Sequence, residues 1–179
     1  MQVLVGYASA HGSTRQIAER IGSRIGRSGA TVRVAPVDDL HDLEAYDAVV
    51  LGSAIHNGAW LPEATEAVRA HAGVLADKPV WLFSVGMVAA LPRRLQGRAM
   101  QEGPKAVAAV QQLIHPQAHR LFSGAVRQDQ LTRRGSLLFR LMRCRYGDYR
   151  AWPEIDAWAG DLAEQMALDA ARPATTGSS

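Results

Sequence analysis

YASAHGSTRQIA, residues Tyr7 to Ala18, joins a short apolar run, Val3 to Tyr7, to a helical pattern with Ile17, Ile21 and Ile25 at i, i+4 and i+8. The apolar run reads as a strand. The turn that follows carries hydroxyls at Ser9, Ser13 and Thr14 and a flexible residue at Gly12. Ser13 with Gln16 fits a capping box, and Gly29 fits the stop signal of the helix. A strand that turns at once into a helix places unpaired backbone amides at the turn, where the helix dipole favours an anion. Three hydroxyls in six residues exceed what capping alone requires.

The same unit repeats outward along the chain. Thr31 to Ala35 reads as a second strand and Ala48 to Gly52 as a third. Pro62 suits a first helical turn, and Ala64, Ala67, Val68, His71 and Leu75 form the inner stripe of the helix behind it. Pro79 to Val85 is a fourth strand, Lys105 to Ile114 a helix, and Ala118 to Val126 a fifth strand. Pro153 starts a last helix whose buried face is Ile155, Trp158, Leu162 and Met166. The strands are continuous apolar runs without alternation, the pattern of strands buried on both faces. Strands alternating with helices in this way predict an α/β doubly wound domain with a parallel sheet.

The chain has 179 residues, 47% of them hydrophobic, enough for one domain with a real core. The domain is expected over residues 1–170, with 171–179 a small polar disordered tail. A single cysteine, Cys144, excludes a disulfide framework and reads as a neutral, at least partly buried thiol. The N-terminus lacks a basic leader, and the longest charge-free apolar run, Pro79 to Leu91, is too short to span a bilayer. A cytoplasmic protein is expected. The net charge of +3 is unevenly spread. Residues 130–150 hold six arginines (Arg133, Arg134, Arg140, Arg143, Arg145 and Arg150) against one acid, Asp148. That segment therefore carries +5 and the remainder −2. On a helical wheel Leu137, Leu138, Leu141 and Met142 oppose Arg133, Arg140 and Arg143. Such a helix either packs on the sheet edge or lies on an anionic membrane surface, the contact running through 133–146. With one basic cluster and no interleaved aromatics, nucleic acid is not expected as a partner. His115 and His119 are separated by a helix-breaking Pro116 with no carboxylate nearby, so no metal site is expected. A homo-oligomer is compatible with the sequence.

Ligands of open α/β sheets sit beyond the carboxyl ends of the strands. The first loop there, Ser9-Ala10-His11-Gly12-Ser13-Thr14, lacks the lysine of a triphosphate loop and the glycine pattern of a dinucleotide fold. It suits a phosphate monoester. After the third strand come Ser53, Ala54, Ile55, His56, Asn57, Gly58 and, after Ala59, Trp60. These small residues can form one wall of a flat pocket. Trp60 either stacks on a planar ring or packs on the following helix. Ser84, Val85, Gly86 and Met87 end the fourth strand, and Gly86 permits close approach of a ligand to backbone. Arg93 and Arg94 follow, able to take carboxylates or phosphates.

The loop Tyr7 to Ala18 resembles the phosphate loop of flavodoxins, with Ser9, Gly12 and Thr14 at the patterned positions. Within that superfamily the chain is similar to the menaquinone-dependent protoporphyrinogen oxidase family. The matching stretches are VVLGSAIHNG (Val49 to Gly58), FSVGMVA (Phe83 to Ala89), FSGAVR (Phe122 to Arg127) and LLFRLMRC (Leu137 to Cys144). The stretch between Cys144 and Trp152 is shorter than in that family, and Asn57 replaces a common aromatic. The resemblance implies a flavodoxin-like five-stranded parallel sheet in the order 2-1-3-4-5, helices on both faces, and an inserted basic helix before the last one. It implies FMN as cofactor, its phosphate at Ser9, Gly12, Ser13 and Thr14. The ring would lie between Trp60 with the backbone of Ala54 to Gly58 and the backbone of Val85 to Met87. It further implies an FMN-dependent oxidoreductase of haem biosynthesis, acting on a porphyrinogen with a quinone as acceptor, peripheral on the inner face of the membrane. Arg93 and Arg94 would meet substrate carboxylates, and no side chain stands out as a general base. Two other readings of the same fold are an electron carrier for partner redox enzymes and a binding module without flavin. Carriers of that kind usually present an acidic face, and this chain has no acidic run and a basic pI.

Overall fold

Alternate residues of each apolar strand serve opposite sides of one sheet in the computed structural model. The structure describes residues 1–127, 141 and 144–171, and the backbone alone at 98, 99 and 101–104. Strand β1 (Gln2–Ala8) leads into helix α1 (Ser13–Gly26), and β2 (Thr31–Pro36) follows. Next come β3 (Ala48–His56), a two-residue β4 (Ala59–Trp60), and helices α2 (Pro62–Ala70) and α3 (Ala72–Ala76). After β5 (Val80–Gly86) the chain forms α4 (Arg93–Ile114), β6 (Ala118–Ser123), β7 (Ala125–Val126), β8 (Gly147–Asp148) and α5 (Trp152–Ala171). The five long strands are parallel in the order β2-β1-β3-β5-β6. Without the two-residue β4, this is the 2-1-3-4-5 order expected.

Val3, Val5, Val50, Trp81, Phe83 and Val85 face one core, where Ile17, Ile21 and Ile25 of α1 meet Ile155, Trp158 and Leu162 of α5. Leu4, Val49, Leu51, Val80 and Leu82 face the other, under Ala64 and Val68 of α2, Leu75 of α3, and Val107, Val110 and Ile114 of α4. Continuous burial on both faces explains why no alternation is visible in the sequence. Phe83, Phe122 and Trp158 form a triangle of tilted and edge-on rings with centroids 5.5–6.3 Å apart, joining β5, β6 and α5. Each such pair contributes about 1 kcal/mol beyond its buried area.

Several boundaries differ from expectation for identifiable reasons. The helix after Pro62 breaks at His71, whose φ of −111° leaves the helical region, so α2 and α3 are separate. Helix α4 starts at Arg93, twelve residues before the apolar pattern that predicted it. The fifth strand bends at Gly124. A Cβ there would lie 2.9 Å from Val85 Cγ1 and 3.4 Å from Ser13, so only glycine lets the chain pass this close. The bend sends β7 out of the main sheet to pair antiparallel with β8. Helix α5 runs one residue beyond the expected domain limit, and residues 172–179 of the expected tail lie outside the described residues. The inserted basic helix also lies largely outside them. Of the charged segment 130–150 the described residues are Leu141 and Cys144 to Arg150, and the latter run holds β8. Among the described residues, no helix is long and apolar enough to cross a membrane.

Candidate functional site

Between β1 and β3 the chain switches direction across the sheet, and loops leaving the strand ends part there. A cleft of about 250 Å³ opens at this point. Its walls are Ser9, Ala10, His11, Ser13 and Thr14 after β1, and Ala54, Ile55, His56 and Asn57 at the end of β3. Val85, Gly86 and Met87 close it from β5, with Leu61 and the Gly124–Val126 segment completing it. Ala54, Ile55, Leu61, Val85, Met87 and Val126 make it mostly apolar, while the polar groups gather at the β1 loop. The enclosed volume is below the ~300–1,000 Å³ of most small-molecule pockets, so a nucleotide-sized ligand would keep one edge in solvent.

The polar end is built as a donor cradle. The Gly12 N–H donates to Ser9 Oγ at 3.0 Å, curling the loop. Gly12 takes a left-handed φ of 85° that favours glycine; it does not line the cleft itself, and its contribution is the turn into α1. The α1 N-cap is Gly12, and no side chain caps the first turn. The early amides of a fourteen-residue helix therefore remain available as donors. The capping box expected from Ser13 and Gln16 is absent. Ser13 lies inside the helix and its Oγ accepts the Ala125 N–H at 2.9 Å, while Gln16 Oε1 accepts from Arg150 Nη1. Both serine hydroxyls act as acceptors here and retain a proton to donate. Thr14 is 1% exposed, lines the cleft, and makes no hydrogen bond among the described residues.

The β3–β4 connection is a hairpin turn that the sequence reading treats only as a pocket wall. Asn57 and Gly58 take φ of 51° and 78°, the consecutive left-handed pair of a tight two-residue turn between Ile55–His56 and Ala59–Trp60. This turn positions His56 and Asn57 at the cleft and returns Trp60 to the core. Trp60 is only 4% exposed, packs among the α2–α4 residues, and its Nε1–H donates to Ser84 Oγ at 2.7 Å. The ring-stacking role expected for Trp60 does not fit that placement. Ser84 and Ser53, also expected at the site, are fully buried instead. Ser84 Oγ is 2.8 Å from His119 Nε2, and Ser53 Oγ accepts the Leu61 N–H and donates to the Ala54 carbonyl. Gly58 does not line the cleft; its contribution is the turn.

Burial lowers the pKa of His119, whose Nε2 shares a hydrogen bond with the Ser84 hydroxyl. Burial likewise raises that of the Cys144 thiol and keeps it neutral. Among the described residues no group of three metal-ligating side chains forms.

Gly124, Ala125, Val126 and Leu61 line the cleft and are absent from the expected site residues. The first three fall within FSGAVR, a stretch that carries the resemblance. Nothing local in the sequence marks Leu61. The β7–β8 pair holding Ala125 and Val126 is tied down by Arg150. Its guanidinium bonds Asp148 Oδ1 at 2.8 Å and Gln16 of α1, and lies 4.7 Å from the Trp152 ring centroid. The arginine in turn lowers the Asp148 pKa. Arg93 and Arg94 are not brought together at the cleft. Arg93 lines a neighbouring groove with Arg145, and Arg94 is exposed.

The flavodoxin domain model matches residues 4–147 of the chain. The protoporphyrinogen IX dehydrogenase [quinone] of Escherichia coli K12 is 32% identical over 96 residues, which are 52% of this chain and 53% of that one. The chain thus spans about half the length of the curated relatives it matches. A flavodoxin from the domain Archaea superposes with a TM-score of 0.63 at 16% identity, covering 93% of this chain and 99% of the other. The rubredoxin oxygen:oxidoreductase of Desulfovibrio gigas gives 0.64 at 16% identity, covering 96% of this chain and 37% of the other.

Proposed function

The chain belongs to the flavodoxin domain family, and from that premise we propose that it binds FMN in the cleft between β1, β3 and β5 and works as a quinone-linked, protoporphyrinogen-oxidase-like oxidoreductase. The observation that carries this reading is the pairing of an uncapped α1 N-terminus and three cleft-lining hydroxyls with an apolar slot at the switch point. Such a loop suits a phosphate monoester, and the slot suits a flat apolar ring.

Ser9, Ser13 and Thr14 would donate to the phosphate oxygens, alongside the amides of the loop and first helical turn. The helix dipole supplies the positive field that a lysine supplies in other phosphate loops. Ala54, Ile55 and Asn57 on one side and Val85 to Met87 on the other would hold the ring and keep water from its faces. Ala125 and Val126 on β7 would close the cleft beside the helix. Bound FMN supplies the redox chemistry, exchanging a hydride or single electrons at its ring. His11 and His56 also line the cleft and would lie beside a bound ligand.

The relationship to the Escherichia coli enzyme supports porphyrinogen as electron donor and quinone as acceptor. The test is anaerobic oxidation of protoporphyrinogen by the FMN-loaded protein with menadione. Porphyrin formation that requires both protein and quinone is expected. A flavin-loaded protein that leaves porphyrinogen untouched would be an electron carrier instead.

A further inference from the structure

Beside the cleft runs a second groove of about 460 Å³, lined by Ala89 to Pro92, Arg93, Gln96, Arg145 and Tyr149. Among the described residues it is lined by two guanidiniums and no carboxylate. Among the described residues neither Arg93 nor Arg145 has an ion-pair or hydrogen-bond partner for its side chain. This contrasts with Arg15, Arg20, Arg33 and Arg150, each paired with an acid. Two like charges sharing one concave surface repel each other, and an anion between them relieves the repulsion.

The backbone around the groove is fixed. The Arg145 N–H donates to the Ala90 carbonyl at 3.1 Å, and Ala89 N–H donates to Ser123 Oγ at 3.2 Å. Tyr149 Oη donates to the Arg145 carbonyl at 3.0 Å. Gln96 Nε2 donates to the Leu91 carbonyl. The groove also adjoins the cleft at two places. Met87, 47% exposed on the cleft wall, leads directly into the turn Val88–Ala90. Tyr149 N–H donates to the carbonyl of Gly124, a cleft residue. A ligand over the exposed edge of the cleft would rest its apolar body on Met87 and reach the arginines with short acidic arms.

Resting on the oxidoreductase reading above, we infer that Arg93 and Arg145 form a carboxylate subsite that orients an apolar, dicarboxylated macrocyclic substrate against the flavin cleft. Both arginines are exposed and can be replaced without opening the core. The probe is mesoporphyrin IX, which has two carboxylates and is stable in air, compared with its dimethyl ester in the same detergent. Both are titrated into the FMN-loaded protein and into Arg93→Gln/Arg145→Gln. The acid is expected to bind the unmodified protein at least tenfold more tightly than the ester. The double variant should lose that preference and retain its FMN affinity and melting temperature. Equal binding of acid and ester, unchanged binding in the variant, or no binding of the acid would overturn the subsite. Kinetics separate this claim from the oxidase reading. Arginine-dependent porphyrin binding without porphyrinogen oxidation would keep the subsite and remove the oxidase. Oxidation with unchanged KM in the double variant would do the reverse.

Discussion

Thr14 and His119 show how differently two buried polar side chains can be used. Thr14 is buried in the protein and lines the cleft, with no hydrogen-bond partner among the described residues. Replacing it with isosteric valine removes one donor to the phosphate while leaving the packing intact. A hydrogen bond to a charged group is worth about 1.5–3 kcal/mol, so Thr14→Val should weaken FMN binding at least about tenfold, measured by flavin fluorescence quenching. His119 is spent on structure, continuing the chain Trp60–Ser84–His119 across β4, β5 and β6. Burial holds its pKa below the ordinary value of 6.5. The unfolded chain therefore takes up a proton near pH 6.5 while the folded chain stays neutral. Stability is full above that pH and falls as the pH drops through the interval down to the folded pKa. Urea midpoints between pH 7.5 and 5 should decline less in His119→Gln than in the unmodified protein. Parallel declines would show that this histidine does not carry the effect.

At the scale of elements, two devices shape the cleft. The Asn57–Gly58 turn is one. Asparagine tolerates a left-handed φ, and a β-branched residue does not, so Asn57→Val should cost about 1–2 kcal/mol in urea unfolding while Asn57→Gly is close to neutral. The other is the Arg150 clamp joining β8, α1 and Trp152. Arg150→Met keeps the bulk and removes the guanidinium bonds. The β7 wall should loosen, with a loss of FMN affinity of about tenfold and faster amide exchange at Ala125 and Val126. Unchanged exchange would show that the β7–β8 pair stands without the clamp.

The elements themselves were largely legible. Ile17, Ile21 and Ile25 announce α1 by their spacing, and the unbroken apolar runs announce strands buried on both faces. The Asn-Gly pair is a strong local hairpin signal, and it explains why the aromatic three residues later turns into the core. What stayed hidden depends on distant partners. No local pattern reveals that Ser84 is the acceptor for Trp60, or that Ser13 is needed by Ala125, 112 residues away. The start of α4 was missed because Arg93 to Gly103 lacks an apolar stripe.

For the molecule as a whole, charge is segregated. A segment of +5 lies in a chain of net +3. In the described part of that segment Arg145 lines the groove beside the cleft, and Arg150, paired with Asp148, lies against β7. All of this presupposes that the switch-point cleft holds flavin. The direct measurement is a titration of the flavin-free protein with FMN, followed by ultrafiltration and a visible spectrum. FMN retained with the protein at one per chain, with an altered absorption band, is the predicted result. Flavin recovered entirely in the filtrate with the spectrum of free FMN would contradict it.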